Sequence, residues 1–124
     1  MEKLGYIAIA GALGTLARYG IASLLPRDGT SGIPWGVYSA NMLGALLFGF
    51  IWSASVDRGW ISEDYRLIAL VGFLGAFTTF STFAFDNVQM LSATEWWWFG
   101  TNIVLTNIGG VIAIYAGIRL ARTI

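Results

Sequence analysis

The amino-acid sequence predicts an all-α integral membrane protein with four transmembrane helices. Of its 124 residues, 56% are hydrophobic and only 11% are charged, whereas about 25% of the residues in a soluble domain are charged. The mean hydropathy is +0.68. Turn-forming and charged residues divide the chain into four apolar stretches, each close to the roughly 20 residues that a helix needs to cross a bilayer. We therefore expect a single four-span membrane domain over residues 1–124.

The first two predicted spans both end at clusters of turn-forming residues. Span one covers residues 4–25 and is followed by the turn-rich segment 26–32. Span two covers residues 33–56, opens near Pro34 and ends at the Asp-Arg-Gly sequence of residues 57–59. Proline is tolerated in the first turn of a helix, and glycine beside polar residues is typical of a turn.

The last two predicted spans differ from an ordinary membrane helix in length and in aromatic content. Span three covers residues 66–91, which would be about 39 Å long as an unbroken helix and exceeds a bilayer core of about 30 Å. Glycine and threonine weaken a helix, so we expect a break near residues 75–80. Span four covers residues 96–118; it follows a capping-box sequence at residues 92–95 and opens with three tryptophans typical of a membrane interface.

A signal peptide is the competing interpretation of the N-terminus, because Lys3 precedes an apolar stretch. The stretch continues beyond Arg18, and its removal would leave an odd number of spans, so we favour four mature spans. Lysines and arginines then number five on the side of the termini and two on the other, which modestly favours cytoplasmic termini. The five are Lys3, Arg58, Arg66, Arg119 and Arg122, and the two are Arg18 and Arg27.

Composition excludes several classes of function. The chain has no cysteine and no histidine, so thiolate nucleophiles, imidazole bases and the usual zinc sites are absent. The formal net charge is zero, which gives no basic surface for nucleic acid. We expect neither an enzyme nor a nucleic-acid-binding protein.

Polar residues inside the predicted spans are the candidates for function, since hydrocarbon makes them costly. The Asn41 amide either donates to an anion or forms an interhelical hydrogen bond. Arg18 either draws anions into a vestibule or extends towards lipid headgroups. Span four carries a stripe of small and polar residues that fits helix packing as well as a pore lining. The stripe comprises Asn102, Thr106, Gly109, Gly110, Ala113 and Gly117.

The most distinctive segment is residues 72–83, GFLGAFTTFSTF, inside span three. It combines two glycines, four hydroxyl residues and four phenylalanines. Backbone freed by a break is tolerated in a membrane where it is buried in protein or lines a cavity, and its carbonyls could hold a small cation. Phe80 and Phe83 would share a helix face, where their positive ring edges could meet an anion. Spacing alone favours ordinary packing for this pair.

These motifs resemble the Fluc/CrcB family of fluoride channels. The resemblance rests on Gly14-x-x-x-Arg18 in span one, on Gly36-x-x-x-x-Asn41-x-x-Gly44 in span two, and on the whole of segment 72–83. It implies a passive, multi-pass channel in the plasma or inner membrane that exports fluoride. It also implies an antiparallel, dual-topology homodimer with a break in each third helix and two pores along the subunit interface.

The resemblance also implies roles for individual residues. The fluoride pathway would comprise Asn41, Phe80, Ser81, Thr82, Phe83 and Thr106, with Arg18 near the vestibule. A structural sodium ion would be held at the dimer centre by the backbone carbonyls of Gly75 and Thr78. Four residues depart from the family pattern: Gly110 replaces a frequent serine, Asp86 a frequent glutamate, and Val37-Tyr38 the usual Thr-Leu.

Three alternatives stay open at this point. A small multidrug exporter also has four spans, but its mechanism needs a glutamate in the first span, where this chain has only Arg18 within the apolar stretch. A non-transporting assembly subunit would explain the glycines and asparagines as packing but not segment 72–83. The uneven charge count also allows a heterodimer with a homologous subunit, because dual insertion calls for little orientational bias.

Overall fold

A computed structural model describes residues 1–25 and 32–124, and within these ranges every regular element is helical. Helix α1 is Glu2–Leu24 and helix α2 is Trp35–Val56. The third span, Glu63–Ser92, consists of several helical pieces, and the last helix, α6, is Trp96–Thr123. These four units are long and apolar enough to cross a membrane, which confirms the predicted all-α, four-span class. Most of the predicted turn 26–32, with Arg27, lies outside the described residues.

The third span is interrupted, as its excess length predicts. Helix α3 is Glu63–Leu67, a π-helix follows over Ile68–Leu74, α4 is Gly75–Phe77 and α5 is Phe80–Ser92. Between α4 and α5, Thr78 (φ −88°, ψ 156°) and Thr79 (φ −146°, ψ 121°) are extended. Extended backbone suits β-branched residues, whereas Gly75 is helical. The π-helix, a form that is often found at functional sites, was not predicted.

The predicted capping box at residues 92–95 is wrong. Ser92 is the last residue of α5 rather than the cap of α6, and α6 begins after Glu95 with no side-chain cap. The Glu95 N–H instead donates to the Met90 carbonyl at 2.8 Å, and Thr94 has a positive φ of 56°. The chain therefore reverses in a tight turn that leaves no room for a capping turn.

Glycines allow the helices to approach closely. A Cβ added to Gly49 in α2 would overlap the Ile114 carbonyl oxygen in α6, and one added to Gly117 in α6 would overlap the Leu46 carbonyl oxygen in α2. Small residues let helix backbones meet in this way in membranes, where dispersion contacts replace the hydrophobic effect. The packing interpretation of the small-residue stripe is confirmed for Gly117.

The buried core lies directly behind the break. Leu70, Leu74 and Phe77 of the third span pack with Ala40 of α2, and the Phe73 and Phe77 rings stack at 5.7 Å. A core in this place holds α4 against α2. The break is thereby fixed relative to the second span.

An ion pair joins the ends of α2 and α6. Asp57 Oδ2 accepts from Ser53 Oγ at 2.7 Å and from Arg122 Nε at 2.8 Å. These hydrogen bonds favour the carboxylate form, with that from Ser53 the larger influence, and hold the pKa of Asp57 below its usual range. The stabilisation is therefore present at neutral pH and is lost as the pH falls through the lowered pKa.

We expect Asp57→Asn to lower the melting temperature of the detergent-solubilised protein by a few degrees at pH 7. The difference from wild type should shrink as the pH falls below about 4, because the wild-type carboxylate is then protonated as well. Melting curves of both proteins over this pH range check the prediction. A difference that stayed constant would mean that the carboxylate charge is not its source.

Candidate functional site

Asn41 joins α2 to the break in the third span through two hydrogen bonds. The Thr79 N–H donates to Asn41 Oδ1 at 2.8 Å, and Asn41 Nδ2 donates to the Thr79 carbonyl at 3.1 Å. The side-chain amide thus pairs with the extended residue much as a neighbouring strand would. The interhelical hydrogen bond considered for Asn41 is present. Since an amide nitrogen carries a second N–H, the arrangement still allows Asn41 to donate to an ion.

Arg18 in α1 contacts the other side of the break. Its Nε donates to the Ala76 carbonyl at 2.9 Å, at the C-terminal end of α4. Thr78 reinforces this end, because both its N–H and its hydroxyl donate to the Leu74 carbonyl, at 3.0 and 2.9 Å. A cation is favoured at the C-terminal end of a helix. Sequence reasoning missed this contact, and the vestibule role of Arg18 stays a prediction.

The break also changes the surroundings of two backbone carbonyls, those of Gly75 and Thr78. In a continuous α-helix the Thr79 N–H would donate to the Gly75 carbonyl, but here it donates to Asn41. Gly75 is exposed in the single chain, and Thr78 is extended. The described residues contain no cluster of three or more acidic, cysteine or histidine side chains that could hold a metal. Any cation at the break would therefore be bound by neutral oxygens.

Hydroxyl and aromatic side chains gather at the first turn of α5. Thr79 caps the helix: its Oγ1 accepts from the Thr82 N–H at 3.2 Å and donates to Thr82 Oγ1 at 3.2 Å, and it lies 3.4 Å from Ser81 Oγ. The Phe80 and Phe83 rings lie 6.0 Å apart with a 53° tilt, and Phe80 is 78% exposed. The N-terminal end of a helix carries partial positive charge and attracts anions.

A cavity of about 300 Å³ adjoins the break and is bordered by α2, the third span and α6. Its lining includes the predicted residues Asn41, Gly75, Thr78 and Thr106, together with Gly110. The remaining predicted residues are not in its lining: Arg18, Phe80, Ser81, Thr82 and Phe83. The structure thus brings part of the predicted site to one cavity and places the rest at α5 or on the α1 side of the break.

A buried amide pair connects α5 to α6. Asn102 is 1% exposed and its Nδ2 donates to Asn87 Oδ1 at 3.0 Å, while Thr106 Oγ1 donates to Asn102 Oδ1 at 3.5 Å. Asp86, beside Asn87, is also buried. Sequence reasoning missed Asn87. The signal was its position, because Asn87 and Asn102 are equally distant from the turn at Thr94 and Glu95, and an antiparallel helix pair brings such residues together.

Comparison with known proteins shows the family of this chain. The sequence profile of the family described as CrcB-like protein, Camphor Resistance (CrcB) matches residues 5–118. The chain belongs to the CrcB family. Every candidate residue discussed above, from Arg18 to Thr106, falls within the matched segment. The resemblance drawn from the sequence motifs is confirmed, and the CrcB-family chain is a multi-pass membrane protein.

The CrcB-family chain is also similar to proteins named Fluoride-specific ion channel FluC. The protein of Nitrosococcus oceani is 41% identical over 123 residues, which cover 99% of this chain and 98% of the relative. That of Solidesulfovibrio magneticus is 43% identical over 128 residues, covering 100% and 99%. That of Desulforapulum autotrophicum is 42% identical over 123 residues, covering 99% and 98%. The similarity therefore extends over essentially the whole of both chains.

Proposed function

We propose that this CrcB-family chain forms a passive, fluoride-selective ion channel that exports fluoride across the plasma or inner membrane. The similarity to proteins named Fluoride-specific ion channel FluC, over 99% of the chain at 41% identity, carries the proposal. A passive channel needs no reacting group, so the protein is not an enzyme. It needs instead a path along which a hydrated anion exchanges water for protein donors.

The first donors in this path belong to Asn41 and to the start of α5. Fluoride is small and strongly hydrated, so each lost water must be replaced by an N–H or O–H group, without binding the ion too tightly for release. Asn41 has a remaining amide N–H beside the break. Ser81 and Thr82 supply hydroxyls at the first turn of α5, where the helix dipole also favours an anion.

The aromatic pair Phe80 and Phe83 continues the path along α5. A phenyl ring is positive at its edge, and two tilted rings 6.0 Å apart can turn edges towards one anion. Such a contact stabilises the ion without a full positive charge that would trap it. Thr106 adds a hydroxyl on the cavity wall, while Gly110 contributes none where the family often has serine.

A second copy of the chain would complete the site. In the single chain Gly75 is exposed, and Thr78 and Thr79 are only half-buried, although irregular backbone inside a bilayer has to be covered by protein or line a cavity. Phe80 is also largely exposed. An antiparallel, dual-topology homodimer would cover the break of each subunit with the other and form two pores along the interface.

A sodium ion would connect the two breaks at the dimer centre. The residues fit such an ion, because the Gly75 carbonyl loses its usual helical donor and the Thr78 carbonyl lies at the extended break. Neutral carbonyl oxygens are suitable ligands for a hard monovalent cation. When bound, the ion would offset the partial negative charges of carbonyls from both subunits. Asn41 and Arg18 would hold the backbone in place around it.

We expect replacement of sodium by N-methylglucamine to weaken the dimer and to slow fluoride release, because an organic cation of that size cannot fit between backbone carbonyls. Single-molecule subunit counting and fluoride efflux, at equal ionic strength, check this expectation. Equal dimer lifetime and equal efflux in the two cations would contradict the sodium site and leave the channel proposal intact.

We expect Asn41→Leu to abolish most fluoride transport. The change removes the pathway amide and leaves the half-buried Thr79 N–H and carbonyl without their partner, at a cost of up to about 1–3 kcal/mol for each group. Asn107→Leu is the matched control, because Asn107 is exposed on α6 and, among the described residues, its amide bonds the Ile103 carbonyl of its own helix, at 2.8 Å. The rates of fluoride efflux from vesicles that contain each variant check this prediction. Equal rates for the two variants would remove Asn41 from the pathway.

The channel proposal itself is tested by fluoride efflux from proteoliposomes, read with a fluoride electrode after addition of a potassium ionophore. Rapid fluoride release without chloride release is expected, because only the smaller anion can be fully coordinated by this path. No release from folded protein, either alone or co-expressed with a homologous subunit, would overturn the proposal.

A further inference from the structure

Two arginines near the end of α2 stack on tryptophans. The Arg58 guanidinium lies 4.6 Å from the centre of the Trp60 ring, and that of Arg66 lies 5.1 Å from the centre of the Trp52 ring. An aromatic face attracts a guanidinium and fixes its plane, while the N–H groups at its edge stay available to a ligand. The rings therefore hold both guanidinium groups in a fixed orientation before any ligand binds.

Neither arginine forms an ion pair with another described residue. Among the described residues, no carboxylate oxygen lies within ion-pair distance of Arg58 or Arg66. The nearby aspartates already have other partners, since Asp57 pairs with Arg122 and Asp64 with Lys3. Two arginines without an ion-pair partner among the described residues thus lie at one end of the molecule, outside the cavity and the break.

Both arginines lie near the end of α2, although they come from different elements. Arg66, in α3, donates from Nη1 to Ser55 Oγ at 3.2 Å, and Ser55 lies three residues before Arg58. Ser55 Oγ also donates to the Ile61 carbonyl at 2.8 Å, so it ties the loop between α2 and α3 to the end of α2. One buried serine thereby ties Arg66, and the loop that carries Arg58 and Trp60, to the end of α2.

The location indicates what such a pair can bind. The cluster lies where α2 ends and the third span begins, at the boundary of the hydrocarbon region, and Trp52 and Trp60 are 45% and 51% exposed. Tryptophan at this depth lies among lipid headgroups. A phosphodiester presents two equivalent oxygens, which match the parallel N–H donors of a guanidinium.

We propose that Arg58 and Arg66 bind the phosphate group of an anionic phospholipid of the surrounding bilayer. The tryptophan rings hold the guanidinium groups and contact the glycerol and upper acyl region of the same lipid. The site is independent of the fluoride pathway, and in an antiparallel dimer one copy would face each leaflet.

The test measures thermal stability of the full-length protein in mixed micelles that contain phosphatidylglycerol or phosphatidylcholine. For the wild type we expect phosphatidylglycerol to raise the melting temperature by about 3 °C or more over phosphatidylcholine, since a ligand of the folded state stabilises it. Arg58→Gln and Arg66→Gln should each lose at least about half of this shift. Trp60→Leu should lose part of it while keeping both charges.

Arg119→Gln is the matched control, because Arg119 is an exposed arginine of α6 without an aromatic partner in the described structure. It should keep the full shift. The proposal is overturned if both glutamine variants keep the wild-type shift, or if Arg119→Gln loses as much as they do. It is also overturned if inorganic phosphate stabilises the protein as well as phosphatidylglycerol does, because the site would then select free phosphate. If one of the two glutamine variants fails to fold, the other glutamine variant and Trp60→Leu still test the proposal.

Discussion

Replacing Phe80 or Phe83 by isoleucine is expected to slow fluoride release from proteoliposomes by at least about tenfold while leaving a folded protein. Isoleucine keeps the side chain apolar and adds no charge, but it removes the positive ring edge that we assign to the anion. An interaction worth about 1.4 kcal/mol in the rate-limiting step corresponds to a factor of ten. A partly dehydrated anion has few partners, so the loss of one is not compensated by water.

The matched control for the aromatic pair is Phe85→Ile. Phe85 belongs to the same helix and is 57% exposed, but it forms no ring contact with Phe80 or Phe83. Its replacement should leave the rate near that of the wild type. If the three isoleucine variants all released fluoride as fast as the wild type, the aromatic assignment would be wrong.

Replacing Gly49 by alanine is expected to destabilise the protein by about 1–3 kcal/mol, which is the usual range for overpacking. The added Cβ would overlap the Ile114 carbonyl oxygen, which belongs to helix backbone and can move only if α2 and α6 separate. Gly117→Ala should act in the same way from the other helix, against the Leu46 carbonyl. Combined, the two changes should cost less than their sum, since the first already separates the helices.

Gly100→Ala is the matched control for the stability measurements on Gly49→Ala and Gly117→Ala. Gly100 lies in α6 with no atom within 4 Å of an added Cβ, so alanine there should gain helix propensity, by up to about 1 kcal/mol. Denaturation in mixed detergent micelles, followed by circular dichroism, compares the variants. Equal stability of Gly49→Ala and Gly100→Ala would show that the two helices do not depend on this close contact.

The sequence predicted the spans well because crossing hydrocarbon imposes a length and a composition on each helix. It also predicted a break within residues 75–80, since the third apolar stretch is too long and contains helix-weakening residues. Of the helix-weakening residues in this range, Gly75 is helical, and Thr78 and Thr79 are the residues that are extended. Composition shows that a segment of helix is weak, but it does not specify which residues lose the helical conformation.

Local motifs were less reliable than hydropathy. The capping-box pattern at residues 92–95 was wrong because α5 extends through Ser92, and the pattern has the same letters whether its serine begins one helix or ends another. The role of Asn87 went unnoticed for a related reason. An amide in an apolar helix indicates that a partner exists without identifying it.

The sequence by itself determined the four apolar spans, the interruption of the third and membership of the CrcB family, because these depend on composition and on contiguous motifs. Only the tertiary structure decided which groups satisfy the interrupted backbone. Asn41 and Arg18 reach Thr79 and Ala76 across 38 and 58 residues of sequence. Contacts at such separation follow from how α1 and α2 pack on the third span, and buried backbone groups must find these partners since hydrocarbon offers none.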